Sequence, residues 1–178
     1  PPPPPPPPPL PKNPELQKAR DMLDYARGFT GRYLYGGGHG VNNRYADNDG
    51  GEWHFVKASA AFTLGDCVWI KGSGNGAPIT FALAAKPGKI GFAQVAFTID
   101  YYGWVKTQGA VTMRGGAACN ANVSLYTSAT AGVLDDATLS TSAFQILGVV
   151  ASTSASGAGE TMTGYANYPM VLRPTTSA

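Results

Sequence analysis

The sequence predicts a mainly β protein, an antiparallel barrel or sandwich preceded by an extended N-terminal arm that carries one short helix. Three observations predict it. From Trp53 onward, short apolar or alternating runs recur at short intervals between Gly, Asn, Asp, Ser and Thr, which is the pattern of antiparallel strands and turns. Residues 101–150 show it most clearly, as YYGWVKTQGAVTMR, NVSLYTSATAGVLDD and FQILGVV, and they hold no histidine and no acid besides Asp135 and Asp136. The first nine residues, by contrast, are all proline, which neither a sheet nor a helix can absorb.

Each element follows from local chemistry. The proline run reads as a polyproline II rod about 28 Å long at ~3.1 Å per residue. Asn13, Pro14 and Glu15 then form a helix start: a capping oxygen, proline at the first helical position and an acid at the positive end of the dipole. Leu16, Ala19, Leu23 and Ala26 recur at spacings of three and four, with Met22 beside them, and Arg27 and Gly28 close the helix. A helix of this length is marginal alone, so its apolar face is expected to dock on the β-domain or on another subunit. Residues 29–51 are rich in glycine and tyrosine and long for a passive loop, which suits an arm that orders against a partner. The expected division is therefore an arm over residues 1–52 and a β-domain over residues 53–178, with Leu16, Leu23, Tyr25, Phe29, Tyr33 and Tyr35 as the contacts to a capsid or another subunit.

Within the β-domain the expected strands are WHFV, DCVWIK, ITFALA, IGFAQVAF, YYGWVKT, GAVTMR, NVSLYT, FQILGVV and the stretch ending YPMVLRP. A turn containing Asn75 and Gly76 is expected to link two of them. Their spacing argues for roughly eight to ten strands in a barrel or sandwich. Trp53, Trp69, Tyr101, Tyr102, Trp104, Tyr126, Tyr165 and Tyr168 lie mostly inside alternating patterns, where core packing is the default role and a sugar-binding platform the alternative.

Composition narrows the function. Charged residues make up 13% of the chain, against about 25% in an average soluble domain, and so thin a charge suits a surface covered by neighbours. The net charge of +2 is spread without a basic cluster, so nucleic acid is not an expected partner. No apolar run approaches the ~20 residues that span a bilayer, and no secretory leader pattern is present, so no membrane is expected and assembly is expected in the cytoplasm. Cys67 and Cys119 have no zinc-type spacing and read as buried thiols, or as one bridge if the chain matures in an oxidising place.

No catalytic site, cofactor or metal is expected. His39 lies among glycines and His54 in a strand pattern, with no nucleophile motif beside either, and His54 reads as a polar residue on a strand face. Asp47, Asn48, Asp49 and Glu52 suggest calcium. With Gly50 at the fixed glycine of an EF-hand loop, however, Tyr45 and Val56 fall where carboxylates are required, so turn-forming hydrogen bonds are the better reading. The glycines at 36–40 and 72–76 lack the strand, helix and Lys-Ser/Thr of a phosphate loop. Asn122-Val123-Ser124 is a chance match to a glycosylation site.

The runs GWVKTQGAV, LYTSATAGVLDD and ILGVV, with LGDCVWI upstream, resemble the small virion proteins of tailed bacteriophages that decorate or cement the capsid. The resemblance covers roughly residues 58–172, and the proline rod and tyrosine-rich arm are additions to it. It implies a structural virion protein, not an enzyme, that sits on the capsid exterior and bridges neighbouring copies of the major capsid protein. Contacts with other copies of itself, as dimers or trimers, are implied too. A receptor- or carbohydrate-binding module of a phage tail or fibre is the alternative.

Overall fold

One long strand that pairs with one neighbour along its first half and with another along its second half organises the molecule. The computed structural model describes residues 44–96, 98–137 and 142–172. Ten strands are formed among them: β1 (Arg44–Ala46), β2 (Glu52–Ala58), β3 (Cys67–Ile70), β4 (Asn75–Pro78), β5 (Lys89–Ala93), β6 (Tyr102–Arg114), β7 (Leu125–Thr127), β8 (Leu134–Asp135), β9 (Gln145–Ala151) and β10 (Thr161–Leu172). A single turn of helix, α1 (Phe81–Ala84), lies between β4 and β5. The mainly β class expected from the sequence is what the chain adopts. The expected helix at residues 14–27, the proline rod and the tyrosine-rich connection as far as residue 43 lie outside the described residues.

The strand β6 alternates buried and more exposed residues along its thirteen positions, as a two-faced strand must. Its first half pairs antiparallel with β2, from Lys57 opposite Tyr102 to Trp53 opposite Lys106, and its second half pairs with β10, from Gln108 opposite Asn167 to Arg114 opposite Thr161. At the handover Thr107 is an extra residue. Its hydroxyl donates to the Glu52 carbonyl at 3.1 Å, and Gly109 takes φ +100°, a conformation that side chains resist. The expected separate pieces YYGWVKT and GAVTMR are thus one strand, because a bulge with glycine bends the chain without ending it.

The order β2-β4-β3-β5-β6, with β6 returning to β2, closes a five-stranded barrel. Its pairs are antiparallel except β2 with β4, which run parallel through Lys57 opposite Asn75 and Ala58 opposite Gly76. This departs from an all-antiparallel barrel: the β3–β4 hairpin inserts with its second strand against β2, so β4 points the same way as β2. Val56, Ala58, Phe62, Val68, Ile70, Ala93 and Val105 fill the interior. Outside it, β6-β10-β9-β7-β8 continue as a second sheet. The larger core lies between the two layers, where Cys67, Trp69, Ile90 and Phe92 meet Val111, Met113, Leu125, Ile146 and Met162. Buried on both faces, β3 therefore reads CVWI with no polar position.

Three local expectations are corrected. ITFALA, expected as a strand, contains α1: the Thr80 hydroxyl accepts from the Leu83 amide at 3.2 Å as an N-cap, and Pro87 follows the helix. IGFAQVAF stops as a strand at Ala93, because the Gln94 side chain replaces the backbone ladder, donating to Thr112 O at 3.0 Å and accepting from Thr112 N at 2.9 Å. Asn75 and Gly76 belong to β4, and the turn precedes them, closed by Gly74 N donating to Lys71 O at 2.8 Å with Gly74 at φ +85°. The β-ladder also begins before Trp53, since β1 pairs with β2 through Arg44–His54, Tyr45–Trp53 and Ala46–Glu52. Cys67 and Cys119 are both free and fully buried, and burial raises both thiols above their ordinary range.

Candidate interaction surface

Alternation along β6, β10 and β9 buries one face of the second sheet and leaves the other outward. The outward positions are Gln108, Ala110 and Thr112 on β6, Thr161, Thr163, Tyr165, Asn167, Met170 and Leu172 on β10, and Gln145, Leu147 and Val150 on β9. None of these carries a charge. Tyr165 lies between its cross-strand partners Ala110 and Val150, and Val150, Tyr165, Met170 and Leu172 are 41–58% exposed. The register shifts once, between Ala166 and Met170, where Tyr168 takes φ +46° and Gly148 on the facing strand takes φ +74°. Pro169 sits in that bulge, where a residue without an amide donor is tolerated. Arg114, the last outward position of β6, spends its guanidinium on Asp66 Oδ1 at 2.7 Å and on Gly159 O at 3.3 Å.

Beside the bulge of β10 at residues 168–170 a cleft of about 290 Å³ opens, lined by Arg44, Glu52, His54, Lys89, Ile90, Thr107, Tyr168 and Met170 among others. Five strands contribute to it. Glu52 holds two neighbours, the Arg44 guanidinium at 3.5 Å and the Tyr168 hydroxyl, which donates at 2.8 Å. His54 is only 2% exposed, and its pKa is lowered to about 4, first by burial and then by the charges of Lys89 and Arg44, with Glu52 opposing. The ring is therefore neutral at physiological pH. The sequence reading placed His54 on a strand face as a polar residue and did not foresee this buried, cation-flanked position. No spacing signal could have shown it, because its neighbours come from β1, β5 and β10.

A second cleft, about 600 Å³, lies beside residues 114–120 and 128–137. Asp136 Oδ2 accepts from Asn120 N at 2.9 Å and Asn120 Nδ2 at 2.7 Å, and these bonds hold its pKa down. Burial raises that of Asp135. Ser128 Oγ lies within donating distance of Thr130 O, 3.1 Å, and Val133 O, 3.0 Å. These contacts shape the loops, and the Ser128 hydroxyl is engaged by backbone, not poised beside a base.

The acidic run at residues 47–52 forms a turn. Asp47 Oδ1 accepts from the amides of Asp49 and Gly51, while Oδ2 accepts from Trp53 Nε1 at 3.0 Å and faces Lys106 Nζ at 3.6 Å. Among the described residues no group of three His, Cys, Asp or Glu side chains is placed to hold a metal, and no helix is long and apolar enough to cross a membrane.

The aromatic residues divide. Trp69 is buried, and Tyr102 and Trp104 pack on Phe55 with ring centroids 6.0 and 5.0 Å away on the barrel exterior. Lys106 Nζ stands 4.9 Å from the Trp53 ring centre. Tyr165 and Tyr168 instead point outward, against the default of core packing. The expected contacts Leu16, Leu23, Tyr25, Phe29, Tyr33 and Tyr35, and His39, lie outside the described residues. No protein-family model matches the chain, and no curated protein is significantly similar to it.

Proposed function

We propose that this chain is a structural virion protein that binds the outer surface of a phage capsid and decorates or cements neighbouring major capsid subunits. The observation that carries the reading is the outward face of β6, β10 and β9: three strands wide where they overlap, free of charge apart from Arg114, which is paired with Asp66, and studded with exposed Val150, Tyr165, Met170 and Leu172. The centre of a protein interface is depleted in charge and enriched in aromatic residues and methionine, as this face is. The double-layered core beneath it supplies a stiff platform, so little ordering cost falls on the β-domain when it docks. The resemblance of residues 58–172 to capsid-decorating proteins supplies the partner. Repetition on a symmetric lattice then turns a moderate affinity per copy into stable coverage.

The test is direct. Electron cryomicroscopy of particles from the phage that encodes the chain should show ordered β-domains repeated over the capsid exterior. Density confined to the tail would transfer the protein to the second reading, a receptor- or carbohydrate-binding module. The exposed rings of Tyr165 and Tyr168 favour that reading. A glycan-binding screen in which Tyr165→Ala abolishes a specific signal would support it.

A further inference from the structure

We infer that the mouth of the five-stranded barrel binds a compact sugar acid, a single pyranose ring carrying one carboxylate. Of the residues named on the outward face of β6, β10 and β9 the site takes in only Met170, so its test and that of the capsid reading are separate.

Strand register is the first argument. On β2, Glu52 and His54 share a side with Val56 and Ala58, which fill the barrel, and on β5 Lys89 lies opposite Ile70, also of the interior. Arg44 lies opposite His54. The inward rows therefore turn from apolar to ionisable at one end of the barrel, where β2 and β5 begin and β3 stops, and the cleft of about 290 Å³ lies there. Barrel mouths are a preferred place for small ligands, and this volume has room for one ring.

Charge is the second. Arg44 and Lys89 face one carboxylate, Glu52, while His54 stays neutral at physiological pH, which leaves an excess of one positive charge. Lys89 has no ion-pair partner among the described residues. A single carboxylate balances that excess, whereas a doubly charged anion would meet Glu52 at a cost. Glu52 in turn is an acceptor for hydroxyl groups on the same ligand.

The bulge of β10 is the third. It holds Tyr168 at φ +46°, a conformation rare outside glycine, and aims the Tyr168 hydroxyl at Glu52 Oε2, 2.8 Å away. Tyr168, Pro169 and Met170 face Ile90 across the cleft and supply the apolar wall on which the C–H face of a sugar ring rests. A donor is left over behind this wall. Trp69 Nε1 is buried with no hydrogen-bond partner among the described residues, and it lies so close to Gly88 of the cleft that any side chain there would collide with it. A ligand oxygen at Gly88 gives that donor its acceptor.

Titrating the full chain with D-glucuronate at neutral pH, followed by NMR, tests the site. The ring signals of His54 and the indole N–H of Trp69 should shift together and saturate, with a dissociation constant of about 1 mM or tighter for a ligand of this size. Glucose, which lacks the carboxylate, and acetate, which lacks the ring, should each bind about tenfold more weakly or worse. Lys89→Gln, at an exposed position, should weaken glucuronate binding about tenfold, and Lys57→Gln, on the outer side of the barrel and paired with Asp100 at 2.9 Å, should leave it unchanged. The methyl glycoside separates two sources of the ligand. Binding equal to that of the free acid marks a ring at the end of a glycan chain, binding of the free acid alone marks a soluble metabolite, and either result supports the site. No shift at about ten times the expected dissociation constant, equal binding of glucose or acetate, or equal weakening by Lys57→Gln would overturn the inference.

Discussion

Between pH 7.5 and 5, acid should destabilise the β-domain through His54. The imidazole is buried at the mouth of a cleft, with Lys89 and Arg44 as positive neighbours, and its pKa falls from 6.5 unfolded to about 4 folded. A folded-state pKa below the unfolded one means that the unfolded chain takes up the proton first. The stabilisation is therefore complete above pH 6.5 and is lost progressively as pH falls toward 4. At ~1.4 kcal/mol per pKa unit, the whole interval is worth about 3 kcal/mol, and the part lost between pH 7.5 and 5 is about 2 kcal/mol. Urea unfolding at those two pH values measures it, with His54→Gln as the control that keeps an amide in place of the ring and removes the titration. Wild-type stability should fall by about 2 kcal/mol more than that of the variant. Equal slopes in the two proteins would refute the argument that His54 is held neutral.

Other substitutions probe the rest of the frame. Arg114→Leu leaves Asp66, with its side chain only 3% exposed, without its ion-pair partner, and should cost about 3–5 kcal/mol in urea unfolding; a loss under ~1 kcal/mol would show that Asp66 is not held by that pair. Gly164→Ala would drive a Cβ into the carbonyl of Val150 on the neighbouring strand and should lower the melting temperature by several degrees, about 1–3 kcal/mol. Phe92→Ala empties a fully buried site between the two layers and should cost about 3–5 kcal/mol. Chelation should leave thermal unfolding unchanged, because Asp47 is engaged by its own turn and by Lys106; a calcium-reversible drop would contradict this.

The fold class was legible because alternation is a local signal: β6, β9 and β10 each write inward and outward positions directly into the sequence. What the sequence concealed depends on neighbours. The ITFALA run has strand-like residues, but a Thr80 cap and a following proline turn it into helix, and the Gln94 side chain ends a strand that apolar content alone would prolong. The parallel β2–β4 contact is a matter of where a hairpin inserts, which no local pattern records. The outward tyrosines were hidden for a similar reason. Alternation places Tyr165 opposite Met162 and Ala166 in facing, but which face meets the barrel is settled only when β3 and β5 supply Trp69 and Phe92 beneath. The cleft at His54 gathers residues from five strands and left no trace in spacing at all.

The most direct test of the proposal that this chain decorates a phage capsid uses capsids that lack it, taken from the phage that the proposal requires to encode it. Purified full-length chain is added back at rising concentration, and bound copies per shell are counted alongside the temperature at which the shells open. The account predicts saturable binding to the exterior and a higher opening temperature at saturation, with both effects weakened by Tyr165→Asp. Shells that bind no protein, or that bind it and open at an unchanged temperature, would contradict it.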